Sequence, residues 1–179
     1  NLPRIQSTTN RKFTWTLPGW AQVGLVQSLL KLNENEEAEK RILRLAFRPE
    51  TQLLAYDLLT KLHIKNKDFD TALESAVTAA SVSPRNIRRH QQAVDLSRIT
   101  NDYKTQFEES KKIAKFAKDS IHDKPEIYLN VARAGIDYAL TTDEDESERV
   151  AQQASDFLDR FVSVLSLIHI SEPTRLRSI

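Results

Sequence analysis

The stretch from Leu53 to Asn86, LLAYDLLTKLHIKNKDFDTALESAVTAASVSPRN, limits the possible folds of this chain more than any other. It reads as two helices joined by a short turn, completed within 34 residues. Tyr56, Leu59 and His63 are separated by three and then four positions, so they share one face of a first helix. Asn66, Lys67 and Asp68 interrupt the apolar pattern where a turn is needed. Phe69, Ala72, Ala76 and Ala79 then line one face of a second helix, with Ala72 and Ala79 small where two helices must approach closely. Pro84 cannot continue a helix and holds Ser83 extended before it, which closes the unit.

An accidental hairpin has no reason to recur at its own length, whereas a repeat does. Shifting by 34 in either direction aligns Ala38 with Ala72 and Gln106, Asn35 with Phe69 and Tyr103, and Leu25 with Leu59 and Ala93. Helix pairs are therefore expected at 19–52, 53–86 and 87–120. In the first, Pro18 suits the opening turn, Trp20, Val23, Leu25, Val26, Leu29 and Leu30 make an apolar surface, and 33–35 form the turn. Glu36 and Glu37 follow where a helix dipole favours negative charge, Ala38, Ile42 and Leu45 point inward, and Pro49 closes the unit. In the third, Asn86 is the expected N-cap, with Ile87, Ala93, Val94, Ile99, Phe107, Ile113, Ala114 and Ala117 packing. A fourth pair, 121–162, starts near Pro125 and presents Tyr128, Val131, Ala132 and Gly135. The acidic run TTDEDESE enlarges its loop, and a last helix carries Val150, Ala151, Ala154, Leu158 and Phe161.

An all-α chain follows from this pattern and from a composition with 3 Gly, few aromatics and much Ala, Leu, Glu, Lys and Arg. Residues 1–17 show no sustained helical period and read as the remnant of a preceding helix and a linker. After Phe161 the repeat pattern is lost, and SLIHISEPTR resembles a sequencing adapter translated by mistake, so 163–179 are set apart as a non-native tail. Without that tail the chain holds 24 cations and 24 anions, too balanced for a global field that would attract nucleic acid. There is no Cys, which excludes disulfides, thiolate metal sites and cysteine nucleophiles. No apolar run has the length needed to span a bilayer, and a cytoplasmic location is expected.

The matches at Tyr56, Leu59, Ala72, Ala79 and Pro84 resemble the tetratricopeptide-repeat pattern, from which Thr60, His63 and Ala76 depart in kind. That resemblance implies a right-handed α-solenoid of three to four helix pairs. Three further stretches are similar to the repeat region of bacterial response regulators that carry an N-terminal receiver. They are Trp20-Ala21 with Gly24-Leu25, then Ala55 to Leu59 with Ser83-Pro84-Arg85 and Arg89, and finally Ser120-Ile121-His122 with Pro125, Tyr128-Leu129 and Ala132-Arg133. This likeness implies an interaction module in two-component phosphorelay signalling. The receiver is not in the sequence and would precede it.

A tetratricopeptide array implies a concave groove lined by first helices, built for a protein or peptide partner. At the family's groove positions stand Asp57, Lys61, Ile64 and Lys65, then Arg88, Gln91, Asp95 and Arg98, then Arg133, with Trp20, Val23, Gln27, Leu30 and Lys31 in the first pair. Lys61, Lys65, Arg88 and Arg98 suggest a basic lane for an acidic segment, tempered by Asp57 and Asp95. The carboxylate-clamping variant wants Lys and Asn where this chain has Val23 and Gln27, which argues against that ligand. A general adaptor in protein assembly is one alternative. RNA binding is another, prompted by Arg85, Arg88, Arg89 and His90, although overall neutrality weighs against nucleic acid. No nucleophile–base pair or Gly-rich phosphate loop is present, and His63, His90, His122 and His169 lack ligand spacing, so no enzyme, cofactor or metal site is expected.

Overall fold

The computed structural model describes residues 18–118, 120 and 122–171, the last five by backbone alone. The expectations for 1–17 and 172–179 lie outside the described residues. Eight α-helices and no strand are formed among the described residues: α1 Gly19–Lys31, α2 Asn35–Ala46, α3 Pro49–Lys65, α4 Phe69–Val82, α5 Ile87–Thr100, α6 Tyr103–Ala117, α7 Pro125–Ala139 and α8 Glu144–Ser171. No described helix is long and apolar enough to cross a membrane. The chain divides within α4 into two compact units, residues 1–75 and 76–179.

The 34-residue period is most regular in the turns. Asn33, Lys67 and Asn101 all adopt left-handed backbone, with φ of 62°, 61° and 57°. The next residue along donates its backbone N–H to the carbonyl five positions back, Glu34 to Leu29, Asp68 to His63 and Asp102 to Ser97, at 3.0, 2.9 and 2.9 Å. That is the closing bond of a Schellman cap, which satisfies a helix-terminal carbonyl that would otherwise be orphaned. The same residue then starts the following helix. Asp68 accepts from the Thr71 backbone N–H at 3.3 Å and Asp102 from that of Thr105 at 3.0 Å. Hydrogen bonds from Thr71 hold the Asp68 carboxyl below the usual carboxylate range. Glu34 occupies the equivalent site without a side-chain cap.

The first helices do not keep the period at their starts. Pro49, expected to close the first pair, opens α3 four residues ahead of Leu53, and Arg48 before it is extended. The reason is chemical: the first helical position has no partner for an N–H, so a residue lacking one is at no disadvantage there. Pro125 opens α7 as expected.

In residues 18–75, α1, α2 and α3 pack in sequence and α1 also touches α3. Val23, Val26, Ile42, Leu45, Leu58, Leu59 and Leu62 form the core, with Leu30 and Tyr56 at its edge. Val23 is thus a core residue and not a groove position. Thr51 bonds the Leu45 carbonyl at 2.8 Å, tying the start of α3 to the end of α2. The two turns are also joined: Lys65 Nζ donates to Asn33 Oδ1 at 2.7 Å, and Asn35 Nδ2 to Asn66 Oδ1 at 3.2 Å. Trp20 is 79% exposed.

In residues 76–171, α5 to α8 each pack on the next. Phe107, Ala114, Tyr128, Val131, Ala134, Tyr138 and Val150 make the core, flanked by Tyr103, Ile127, Phe157 and Phe161. Two small residues let α6, α7 and α8 close together. A Cβ on Gly135 would lie 2.9 Å from Phe107 and 3.0 Å from Ala154. The buried face of α8 is Val150, Ala154, Phe157, Phe161 and Val164, while Ala151 and Leu158 are exposed. The steps of three and four residues keep these five on one stripe, which the expected set did not. The helix also runs past 162 to Ser171 and buries Val164. The Tyr128 hydroxyl donates to Asp123 Oδ1 at 2.7 Å, fastening the α6–α7 connection to α7. Burial, then that carboxylate, raises its pKa above the ordinary value.

Two substitutions test the turn and the close approach. Lys67→Gly relieves a left-handed L-residue and is expected to stabilise the chain by about 1 kcal/mol, whereas Gly135→Val overpacks three helices and is expected to cost about 2 kcal/mol. Thermal melts followed by circular dichroism read both, and a neutral Lys67→Gly would remove the strain assigned to that turn.

Candidate functional site

The expected first-helix positions are mostly at the surface. On α3, Lys61 and Lys65 are exposed, Ile64 is 37% exposed and Asp57 is half-buried. Lys65 spends its ammonium on Asn33, so Lys61 and Ile64 are the side chains this face presents outward. On α5, Gln91, Asp95 and Arg98 are exposed and interlocked. Gln91 Nε2 donates to Asp95 Oδ1 at 2.9 Å, and Arg98 Nη1 stands 3.7 Å from the same oxygen. Gln91 and Arg98 border a small depression of about 100 Å³ together with Ile127 and Asn130. Arg133 is exposed on α7. Beneath these faces the small or aliphatic column is closed: Leu59 and Ala93 are buried. Arg88 and Arg98, both assigned to the basic lane, line different cavities.

Of the four basic residues that suggested RNA, His90 is an interior group, 1% exposed. Its Nε2 lies 2.7 Å from the Pro84 carbonyl oxygen and its Nδ1 2.6 Å from Glu109 Oε2. A carbonyl oxygen only accepts, so Nε2 carries a proton and donates it. The contact to Glu109 is a second hydrogen bond of the same ring. Lys112 Nζ reaches the other Glu109 oxygen at 2.5 Å, so both oxygens of a carboxylate that is 2% exposed are satisfied. The ring also stacks on Phe116, with centroids 5.9 Å apart and planes at 21°. His90 therefore pins the α4–α5 connection, through Pro84, to α6, through Glu109 and Phe116. Arg89 Nη1 donates to Ser83 Oγ at 3.2 Å, a second tie to the same connection.

Pro84 and Phe116, both touched by His90, also line a cleft of about 1050 Å³. One wall is Ser83 to Arg88, from the α4–α5 connection and the start of α5; the other is Phe116, Ser120, His122, Lys124 and Ile127. Asn86 sits at the N-cap of α5 but makes no side-chain cap bond. Half of this site carried a sequence signal, the basic cluster at 85–90. Lys124, His122 and Phe116 did not, since they stand some 30 to 40 positions later and only packing brings them opposite. Glu109 had no signal either, because an acid on a helix normally reads as solvated surface.

No model of a known protein family matches this sequence, and no curated protein matches it. Among the described residues, no group of three or more His, Asp or Glu is placed to hold a metal ion.

Removing one member of a buried ionic pair leaves the other without compensation. Glu109→Ala, which orphans a His90 ring that is 1% exposed, is expected to cost about 3 kcal/mol in urea denaturation. Lys112→Ala, whose side chain is 45% exposed, should cost about 1 kcal/mol or less. Equal effects would show that the His90 contact adds nothing beyond the Lys112 one.

Proposed function

We propose that this chain is a helical-repeat scaffold of the tetratricopeptide type that binds another polypeptide. The observation that carries the reading is the contrast within the first helices of its hairpins. Their inner columns, Leu59 on α3 and Ala93 on α5, are buried, while Lys61, Ile64, Gln91, Asp95 and Arg98 stand exposed at the positions where such repeats hold ligands. On α3 the exposed set joins a lysine to an isoleucine, and on α5 an amide to an aspartate and an arginine; either mixture suits a peptide, which offers backbone groups and side chains together. The recurrence of the left-handed turn at 33, 67 and 101 supports a repeat as its frame. In the setting that the sequence resemblance implies, the scaffold serves a receiver in two-component signalling, and that part of the reading rests on residues alone.

The RNA reading loses ground on the geometry of its own residues. His90 is enclosed between Pro84 and Glu109, and Arg89 is engaged with Ser83. Arg85 and Arg88 alone do not make a backbone-tracking groove with stacking platforms.

Selection from a displayed peptide library on the immobilised full chain tests the scaffold. Enriched peptides are expected, and Lys61→Glu with Arg98→Glu should change their affinity several-fold while the helical circular dichroism signal is kept. A library that yields no enriched sequence, or enriched peptides indifferent to both charge reversals, would overturn the reading.

A further inference from the structure

The cleft between the α4–α5 connection and the end of α6 has none of Lys61, Ile64, Gln91, Asp95 and Arg98 in its lining, and that lining selects for a different chemistry. Arg85, Arg88 and Lys124 line it with His122, and no Asp or Glu lines it among the described residues. None of the three charged side chains has a hydrogen bond, ion pair or ring contact among the described residues. In a chain whose charges otherwise balance, three cations facing one cavity without an acid make a local positive field. The rest of the wall is apolar, with Ile87, Phe116 and Ile127.

Size and lining together narrow the ligand. About 1050 Å³ is the volume of pockets that enclose a drug-sized molecule or a few peptide residues, far more than one inorganic anion fills. A single-stranded nucleic acid would seek an aromatic face to stack on. Phe116 is the only aromatic of the six-membered kind in the described lining, and its ring is already stacked by His90 at 5.9 Å, with Lys115 Nζ at 5.8 Å from its centroid. Aliphatic side chains at Ile87 and Ile127 offer burial to a similar group, and guanidinium forks at Arg85 and Arg88 suit carboxylates. We propose that this cleft binds an acidic segment of a partner protein that carries a bulky apolar side chain among its carboxylates. The acids meet Arg85, Arg88 and Lys124, and the apolar group seats against Ile87 and Ile127. The His90–Glu109 contact holds the two walls in place, so the site is preformed and its ligand meets little ordering cost at the wall.

Fluorescence anisotropy with the full chain tests this, using a labelled peptide of six glutamates around one leucine, the same peptide with serine for leucine, and a labelled decauridylate. The glutamate–leucine peptide is expected to bind and to weaken as salt is added. Its serine counterpart should bind on the order of tenfold more weakly, and Arg85→Glu with Lys124→Glu should weaken the leucine peptide on the order of tenfold. Lys40→Glu with Lys104→Glu, which reverses two exposed cations outside the cleft lining, should leave this binding unchanged. Should the charge reversals lower the helical signal, Arg85→Gln with Lys124→Gln is read instead, with a smaller loss expected. Undiminished binding by either cleft variant would overturn the proposal, as would no binding of the leucine peptide. Tighter binding of the decauridylate would assign the cleft to nucleic acid. Salt-sensitive self-association of the chain, abolished by the cleft variant, would assign it to a second copy.

Discussion

Everything regular in this chain depends on how its first helices stop. Each of three hairpins ends its first helix with one residue in left-handed backbone, at 33, 67 and 101, followed by an acid whose N–H reaches back five positions. The cap satisfies the terminal carbonyls and turns the chain in few residues, and α2 packs back on α1 as α6 does on α5. Where the acid is Asp, its carboxylate then caps the next helix, and a single pair of residues ends one element and begins another. Lys67 shows how firmly the geometry is imposed, since a lysine gains nothing from left-handed backbone and adopts it nonetheless.

Once the turns are set, packing needs only small residues at the right intervals. Ala38, Ala72 and Gln106 occupy one repeat column and all are buried, so the polar member is accommodated without breaking the pattern. The last pair departs from the period through its acidic loop, and there the close approach is supplied by Gly135, with Phe107 and Ala154 against it. Different residues thus meet the same requirement, that two helix backbones come near enough to bury the side chains beside them.

The surface divides into two kinds of place. First-helix faces are exposed, mixed in character and partly occupied by their own hydrogen bonds, as Gln91, Asp95 and Arg98 show. The cleft beside the α4–α5 connection is concave, cationic and apolar at once, and Pro84 in its lining accepts a hydrogen bond from the interior His90, which also meets Glu109. A buried ionic pair adds little net stability once desolvation is counted, yet it specifies one arrangement of the walls it joins. That is the more useful property for a binding surface.

Local chemistry sufficed for much of this in the sequence alone. Helix type, the turns, the buried positions 38, 59, 72 and 93 and the opening proline at 125 follow from spacing and from residues with restricted backbone, because those effects act within a few positions of the chain, whereas Ile99, expected to pack, is 55% exposed. Pro49 was misplaced because proline marks a helix boundary without saying which side of it the helix lies on, and here it starts α3. The α8 stripe shifted to Phe157 and Val164 because an amphipathic helix admits neighbouring stripes until a partner chooses one. Glu109, Phe116 and Lys124 lay beyond any sequence pattern, since each is ordinary in its own segment, and the cluster that held His90 gave no sign of its burial. Only the folding of α6 against α5 made one pair interior and set the other two across from Arg85, and that outcome depends on long-range contact, which spacing along a chain does not encode.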